Sequence, residues 1–79
     1  LIMHDYNYKD KLMKYFQQNN KEILKYKDIV VEGQANNKTY TVCVMRRDES
    51  ILAYGKGPSK KKAEQCASKN ALQKLELID

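Results

Sequence analysis

The run Gly55-Lys56-Gly57-Pro58-Ser59, followed at once by Lys60-Lys61-Lys62-Ala63, is the strongest constraint on how this chain can fold. Two glycines and the only proline end whatever element precedes them, because proline has no N–H to give to a ladder. Ser59 then stands where a helix N-cap belongs. Beyond it Ala63, Cys66, Ala67, Asn70, Ala71 and Leu75 recur at helical spacing, a face of small residues that demands close approach to a sheet or another helix. In 79 residues there is room for one such core and no second domain.

The upstream elements follow from periodicity. Tyr8, Leu12, Tyr15 and Phe16 are spaced i, i+4, i+7, i+8, which predicts a helix from Asn7 to Gln18 with Asp5 or Asn7 as cap and Asn19-Asn20 as stop. After a link holding Ile23 and Leu24, the β-branched segment Tyr26–Glu32 reads as a strand ending at Gly33, followed by a loop over Gly33–Asn37. Lys38 to Arg46 alternates, with Tyr40, Val42 and Val44 on one face and Thr39, Thr41, Cys43 and Met45 on the other. The polar turn Arg46–Ser50 leads to a third strand, Ile51 to Lys56. The expected fold is α+β: an α-β-β-β-α two-layer sandwich, with two helices packed on one face of a three-stranded antiparallel sheet. Residues 1–6 form a tail or linker and 7–77 the domain.

Several classes of function are excluded or disfavoured. The longest apolar runs, such as Ile29-Val30-Val31, fall far short of the ~20 residues a membrane span needs, and no signal-peptide pattern opens the chain. Cys43 and Cys66 lie far apart without paired metal ligands, so they read as reduced thiols on opposite sides of the sheet, with no disulfide and no metal site. The acidic residues are scattered, His4 stands alone, and no nucleophile-base pairing or metalloprotease spacing appears. No catalytic residue is assigned.

The charge is more informative. Fifteen Lys and Arg against ten Asp and Glu give a net +5, which favours a polyanionic partner. Lys56, Lys60, Lys61 and Lys62 form its tightest cluster, with no acid between Gly55 and Ala63. Cations in a first helical turn oppose the helix dipole. A bound phosphate would resolve that conflict, because backbone N–H groups, dipole and ammonium groups would converge on one anion.

Taken together, Gly55-Lys56-Gly57-Pro58-Ser59-Lys60-Lys61-Lys62-Ala63 resembles the G-x-G-x-S-K-K-x-A signature of the double-stranded RNA-binding domain. The resemblance implies that Lys60 and Lys61 are phosphate contacts, and Glu64, where many members carry Lys, points to the ribonuclease III branch. Gly33-Gln34-Ala35-Asn36-Asn37-Lys38-Thr39-Tyr40 resembles the family's G-P-x-H-x-K-x-F element, with the Pro and His replaced. Gln34, Asn36, Asn37 and Lys38 are the candidate minor-groove contacts there, Asn36 offering an amide donor and acceptor in place of the His. On the first helix Asp10, Met13, Lys14 and Gln17 occupy a second face, where the family places its other minor-groove contacts. The resemblance covers residues 7 to 75.

Such a domain would read A-form duplex RNA by shape, through two minor grooves and the phosphates between, over about 16 base pairs. The pattern is most like the C-terminal domain of a ribonuclease III, of viral or other AT-rich origin given the Lys, Asn and Ile content. No cofactor is expected in this chain, Mg2+ belonging only to a nuclease domain of a longer parent. The expected partner is double-stranded RNA, with no membrane and no small-molecule substrate, with homodimerisation through the parent's nuclease domain, and with an intracellular, cytoplasmic setting (host cytoplasm if viral). Two other readings stay open: a protein-interaction or dimerisation module of the same fold, and a free-standing duplex-sequestering protein.

Overall fold

The computed structural model describes residues 7–78. The expected tail over 1–6, with Asp5 and His4, lies outside the described residues. Five elements follow in order: α1 (Tyr8–Asn20), β1 (Lys25–Gln34), β2 (Asn37–Met45), β3 (Ile51–Gly57) and α2 (Lys60–Lys74). The strands form one antiparallel sheet in the order β1-β2-β3, so the expected α-β-β-β-α meander is the one observed.

Residues directly opposite one another in antiparallel strands share a face. Tyr26, Val44 and Ala53 are aligned across the three strands, as are Asp28, Val42 and Gly55. This face carries the helices. Leu12 and Phe16 of α1, Leu24 of the link, Val44, and Ala67, Ala71 and Leu72 of α2 make the buried core, with Tyr8, Tyr15, Tyr26, Leu52, Ala53, Leu77 and Ile78 packed at its margin. Truncating a core leucine such as Leu12 costs about 2–5 kcal/mol, a large part of a small domain's stability.

The glycine before the break shows why α2 is faced with alanine. A Cβ on Gly55 would stand 2.0 Å from the Ala67 nitrogen and 2.5 Å from the Ala63 carbonyl oxygen, so β3 and α2 touch backbone to backbone. Ala63, Ala67 and Ala71 are fully buried as expected. The rest of the expected stripe is rotated: Ser68 and Leu72 are buried, whereas Cys66 is half-buried and Asn70 and Leu75 are exposed. The rotation has a physical cause. α2 must face α1 as well as the sheet, and Ser68 is brought inward by Tyr26, whose hydroxyl lies 2.6 Å from the Ser68 Oγ. Ser68 Oγ donates its proton to the Glu64 carbonyl (2.9 Å), so Tyr26 is the donor in that pair. Asn70 instead donates from the surface to the Tyr54 carbonyl.

Two further expectations need correction. The left-handed residue ending α1 is Lys21 (φ 51), not Asn19 or Asn20; Lys21 and Glu22 N–H groups donate back to the Gln17 and Phe16 carbonyls, closing the helix and turning Glu22 inward. The loop expected over Gly33–Asn37 is a tight hairpin, since Gln34 pairs with Asn37 and only Ala35 and Asn36 lie between. Gly33 takes the positive φ (99°) that lets the chain turn so sharply, leaving the loop residues unstrained. The expected β-branched strand is present, with Ile29-Val30-Val31 40–50% exposed: β1 is an edge strand, bulged between Asp28 and Val30, and its outer half projects past the helices.

Cys43 lies opposite Lys27 and Tyr54, on the face without helices, and is nevertheless buried; Cys66 is half-buried on α2, which lies on the other face. The two thiols are therefore on opposite sides, both free.

Candidate nucleic-acid interface

The first turn of α2 is built from its cap. The Ser59 side chain accepts from the Lys62 N–H (3.2 Å), and the Ser59 carbonyl accepts from Ala63 (2.9 Å). Lys60, Lys61 and Lys62 open the helix with no acidic residue in that turn, and all three are exposed. Lys60 is not bare, however. Its Nζ lies 3.0 Å from Asp28 Oδ2 on β1, and this carboxylate holds the ammonium above the ordinary lysine range. Among the described residues no carboxylate pairs with Lys61 or Lys62.

The hairpin tip lies at this same end. Tyr40 pairs with Gly57, the last residue of β3, so Asn37, Lys38 and Thr39 carry β2 beyond β3 toward the turn. Gln34, Asn36, Asn37 and Lys38 are exposed there. By alternation Lys38 shares the face of Tyr40, the side on which α2 begins. Lys56 does not. Gly55 and Gly57 turn toward α2, so Lys56, opposite Thr41, starts on the other face of the sheet. Adjacency in sequence therefore overstated the cluster: strand alternation separates Lys56 from Lys60, Lys61 and Lys62.

On α1, Asp10, Lys14 and Gln17 are exposed and Met13 is half-buried. Lys14 Nζ pairs with Asp10 Oδ2 at 3.2 Å, an i,i+4 ion pair. The helix is pinned to α2 by polar contacts no periodicity could reveal. Asn7 Oδ1 accepts from the Asp10 N–H (3.0 Å) and from Gln65 Nε2 (2.9 Å), while Gln65 Oε1 accepts from the Lys9 N–H (3.1 Å). Lys9 Nζ reaches Glu64 at 2.7 Å and sits 4.9 Å from the centre of the Tyr26 ring. These contacts fix the start of α1 beside the second turn of α2. Asp10, Met13, Lys14 and Gln17 are thereby held at a set distance from the lysines.

The family model for the double-stranded RNA binding motif matches residues 8–75. The chain belongs to the double-stranded RNA binding motif family. Among curated relatives it is similar to ribonuclease 3 of Bdellovibrio bacteriovorus, 40% identical over 67 residues, covering 85% of this chain and 28% of that protein. The ribonuclease 3 of Syntrophomonas wolfei is 43% identical over 68 residues (86% of this chain, 29% of the relative). That of Chlorobaculum tepidum is 38% identical across all 79 residues and 29% of its own length. This motif thus spans under a third of the relatives it matches.

Glu64, noted as a departure from many members, has a definite task in this motif: it takes the Lys9 ion pair and so joins α1 to α2. At the opposite end of the sheet lies a group that sequence reasoning missed. Glu22, buried behind the end of α1, accepts from Arg46 Nη2 (2.9 Å), Arg46 Nε (3.3 Å) and the Arg47 N–H (2.7 Å). The Arg46 guanidinium lies 5.5 Å from the Phe16 ring centre. Hydrogen bonds from Arg46 and then from the Arg47 backbone hold the Glu22 carboxyl below its usual range. Asn20, Glu22, Arg46, Arg47 and Asp48 line an open hollow there. A glutamate just after a helix, 24 residues before an arginine, carries no local signal of this pairing.

Proposed function

We propose that this module binds A-form duplex RNA by shape, with Lys60, Lys61 and Lys62 on the phosphates that bridge two minor grooves. One groove would take Gln34, Asn36, Asn37 and Lys38 at the hairpin tip, and the other Asp10, Met13, Lys14 and Gln17 of α1. Lys56 would add a phosphate contact only by reaching round the β3 edge. The observation that carries this reading is the first turn of α2. Three exposed lysines share a helix N-terminus with no acid in that turn, on the side of the sheet from which the hairpin tip projects. Backbone N–H groups, dipole and ammonium groups there favour an anion together.

The major groove of A-form RNA is too deep and narrow for side chains, so separated contacts to 2′-hydroxyls and phosphates give shape selectivity and little sequence preference. The relatives are ribonucleases, and this chain covers 28–29% of those described above. We therefore place the module, residues 7–77, in a longer intracellular parent whose nuclease domain supplies Mg2+ chemistry and the homodimer contact. Among the described residues no His, Cys, Asp and Glu side chains group closely enough to hold a metal. In this reading the module's part is to hold and orient the duplex.

The test is a pair of titrations at one moderate salt concentration, with RNA and DNA duplexes of matched sequence and increasing length. RNA should bind more tightly, and affinity should level off near one site of about 16 base pairs. Equal affinity for the two duplexes at every length would reduce the module to a generic polyanion binder.

A further inference from the structure

One candidate contact is already occupied by the protein itself. Lys60, the first residue of α2, meets Asp28 on β1, the residue that precedes the bulge in that strand. Both side chains keep contact with solvent, 60% and 42% exposed, so the pair is neither a core bridge nor sealed from a ligand. Its neighbours Lys61 and Lys62 have no such partner among the described residues. The three lysines of one turn are thus of two kinds: two carry free charge, and one has its charge neutralised by a carboxylate from the sheet.

A phosphate approaching Lys60 must take the ammonium from Asp28, and the displaced carboxylate then remains beside the phosphate backbone. Both steps oppose binding. The displaced carboxylate beside the phosphates also keeps a cation near the RNA, so Lys60 releases fewer of the cations condensed on the duplex, and the salt dependence of binding, which counts those released ions, is lowered accordingly.

We propose that Asp28 is a built-in counter-ion of Lys60, which a duplex phosphate must displace and which limits how tightly the module holds RNA. The inference rests on the duplex-binding reading and adds to it a residue that sets the strength and salt response of the contact. In a module that must hold a duplex and then let it go, such a brake acts at the phosphate bridge without touching the groove contacts.

The experiment uses the 79-residue chain and an RNA duplex longer than one site, titrated at several salt concentrations with four proteins: parent, Asp28→Asn, Lys60→Ala, and the double variant. Asp28→Asn should bind about 1.5- to fivefold more tightly at low salt, the range set by an exposed ion pair, and its plot of log affinity against log salt should steepen by about one unit. The double variant should bind like Lys60→Ala. Affinity and slope unchanged or lowered in Asp28→Asn would overturn the proposal. So would an equal gain in the Lys60→Ala background, because the effect would then be bulk charge alone. If Asp28→Asn melts well below the parent, Asp28→Ser replaces it and is judged on the same criteria. Should the parent bind RNA and DNA duplexes alike, shape selectivity fails, but the four-protein comparison on either duplex still decides the role of Asp28. Should the parent bind neither, both readings fall.

Discussion

The two ends of the sheet carry similar charged residues and use them in opposite ways. At the β2–β3 turn, Glu22 consumes the Arg46 guanidinium and the Arg47 N–H, and Asp48 accepts from the Ser50 N–H and hydroxyl. At the hairpin end, Lys61 and Lys62 are left without a carboxylate among the described residues, and Lys60 has one that solvent can reach. A net charge of +5 therefore says little by itself. Unsatisfied cations beside a helix N-terminus mark a surface built for an anion, whereas cations locked to a buried carboxylate mark a joint in the fold.

The largest effect on this contrast should come from the packing that both ends share. In Gly55→Val the side chain would run into the Ala63 and Ala67 backbone, so α2 could not lie on β3. We expect destabilisation of about 3 kcal/mol or more, at the upper end of overpacking, and loss of duplex binding with the fold. Thermal melts and circular dichroism would show it; a variant that melts like the parent would contradict the backbone contact.

Next comes a matched pair of arginine and lysine truncations. Lys61→Ala should weaken duplex binding and lower the salt slope by about one unit while leaving the melting temperature nearly unchanged. Arg46→Ala should do the reverse, lowering the melting temperature because Glu22 is left without its guanidinium, and changing the salt slope little. If both variants moved affinity alike, the separation of the two ends would fail.

Smaller and confined to acid is the response of Glu22. Its carboxyl is held below the ordinary 4.5 in the fold, so the fold binds the ionised form preferentially. That contribution is fully present above pH 4.5 and is lost as the pH falls through the lowered folded value. Asp48, lowered by its bonds to Ser50, adds to the same trend. Melting temperature measured from pH 6 to pH 2 should drop below about pH 4.5, and Glu22→Gln should flatten part of that drop.

The sequence made some of this legible and hid the rest for reasons that differ by element. Ser59 and the alanines after it announced α2, because capping and small-residue spacing are local signals. The strand alternation of β2 placed Val42 and Val44 correctly. Proximity in sequence groups Lys56 with the lysines of α2, whereas alternate strand residues point to opposite faces. A 3.6-residue period places Cys66, Asn70 and Leu75 on the buried stripe because it cannot tell which side a second helix will occupy. The Asp28–Lys60 and Glu22–Arg46 pairs are contacts between residues 32 and 24 positions apart, invisible until the chain is folded.

The most direct test of where RNA binds is to follow the backbone amide signals of the labelled chain by NMR as an RNA duplex of at least ~16 base pairs is added. Shifts are expected at Lys60, Lys61 and Lys62, at Gln34 to Lys38, and on the outer face of α1 at Asp10, Lys14 and Gln17, with Glu22, Arg46 and Arg47 left unmoved. Shifts concentrated at the Glu22–Arg46 end, with the first turn of α2 silent, would contradict it.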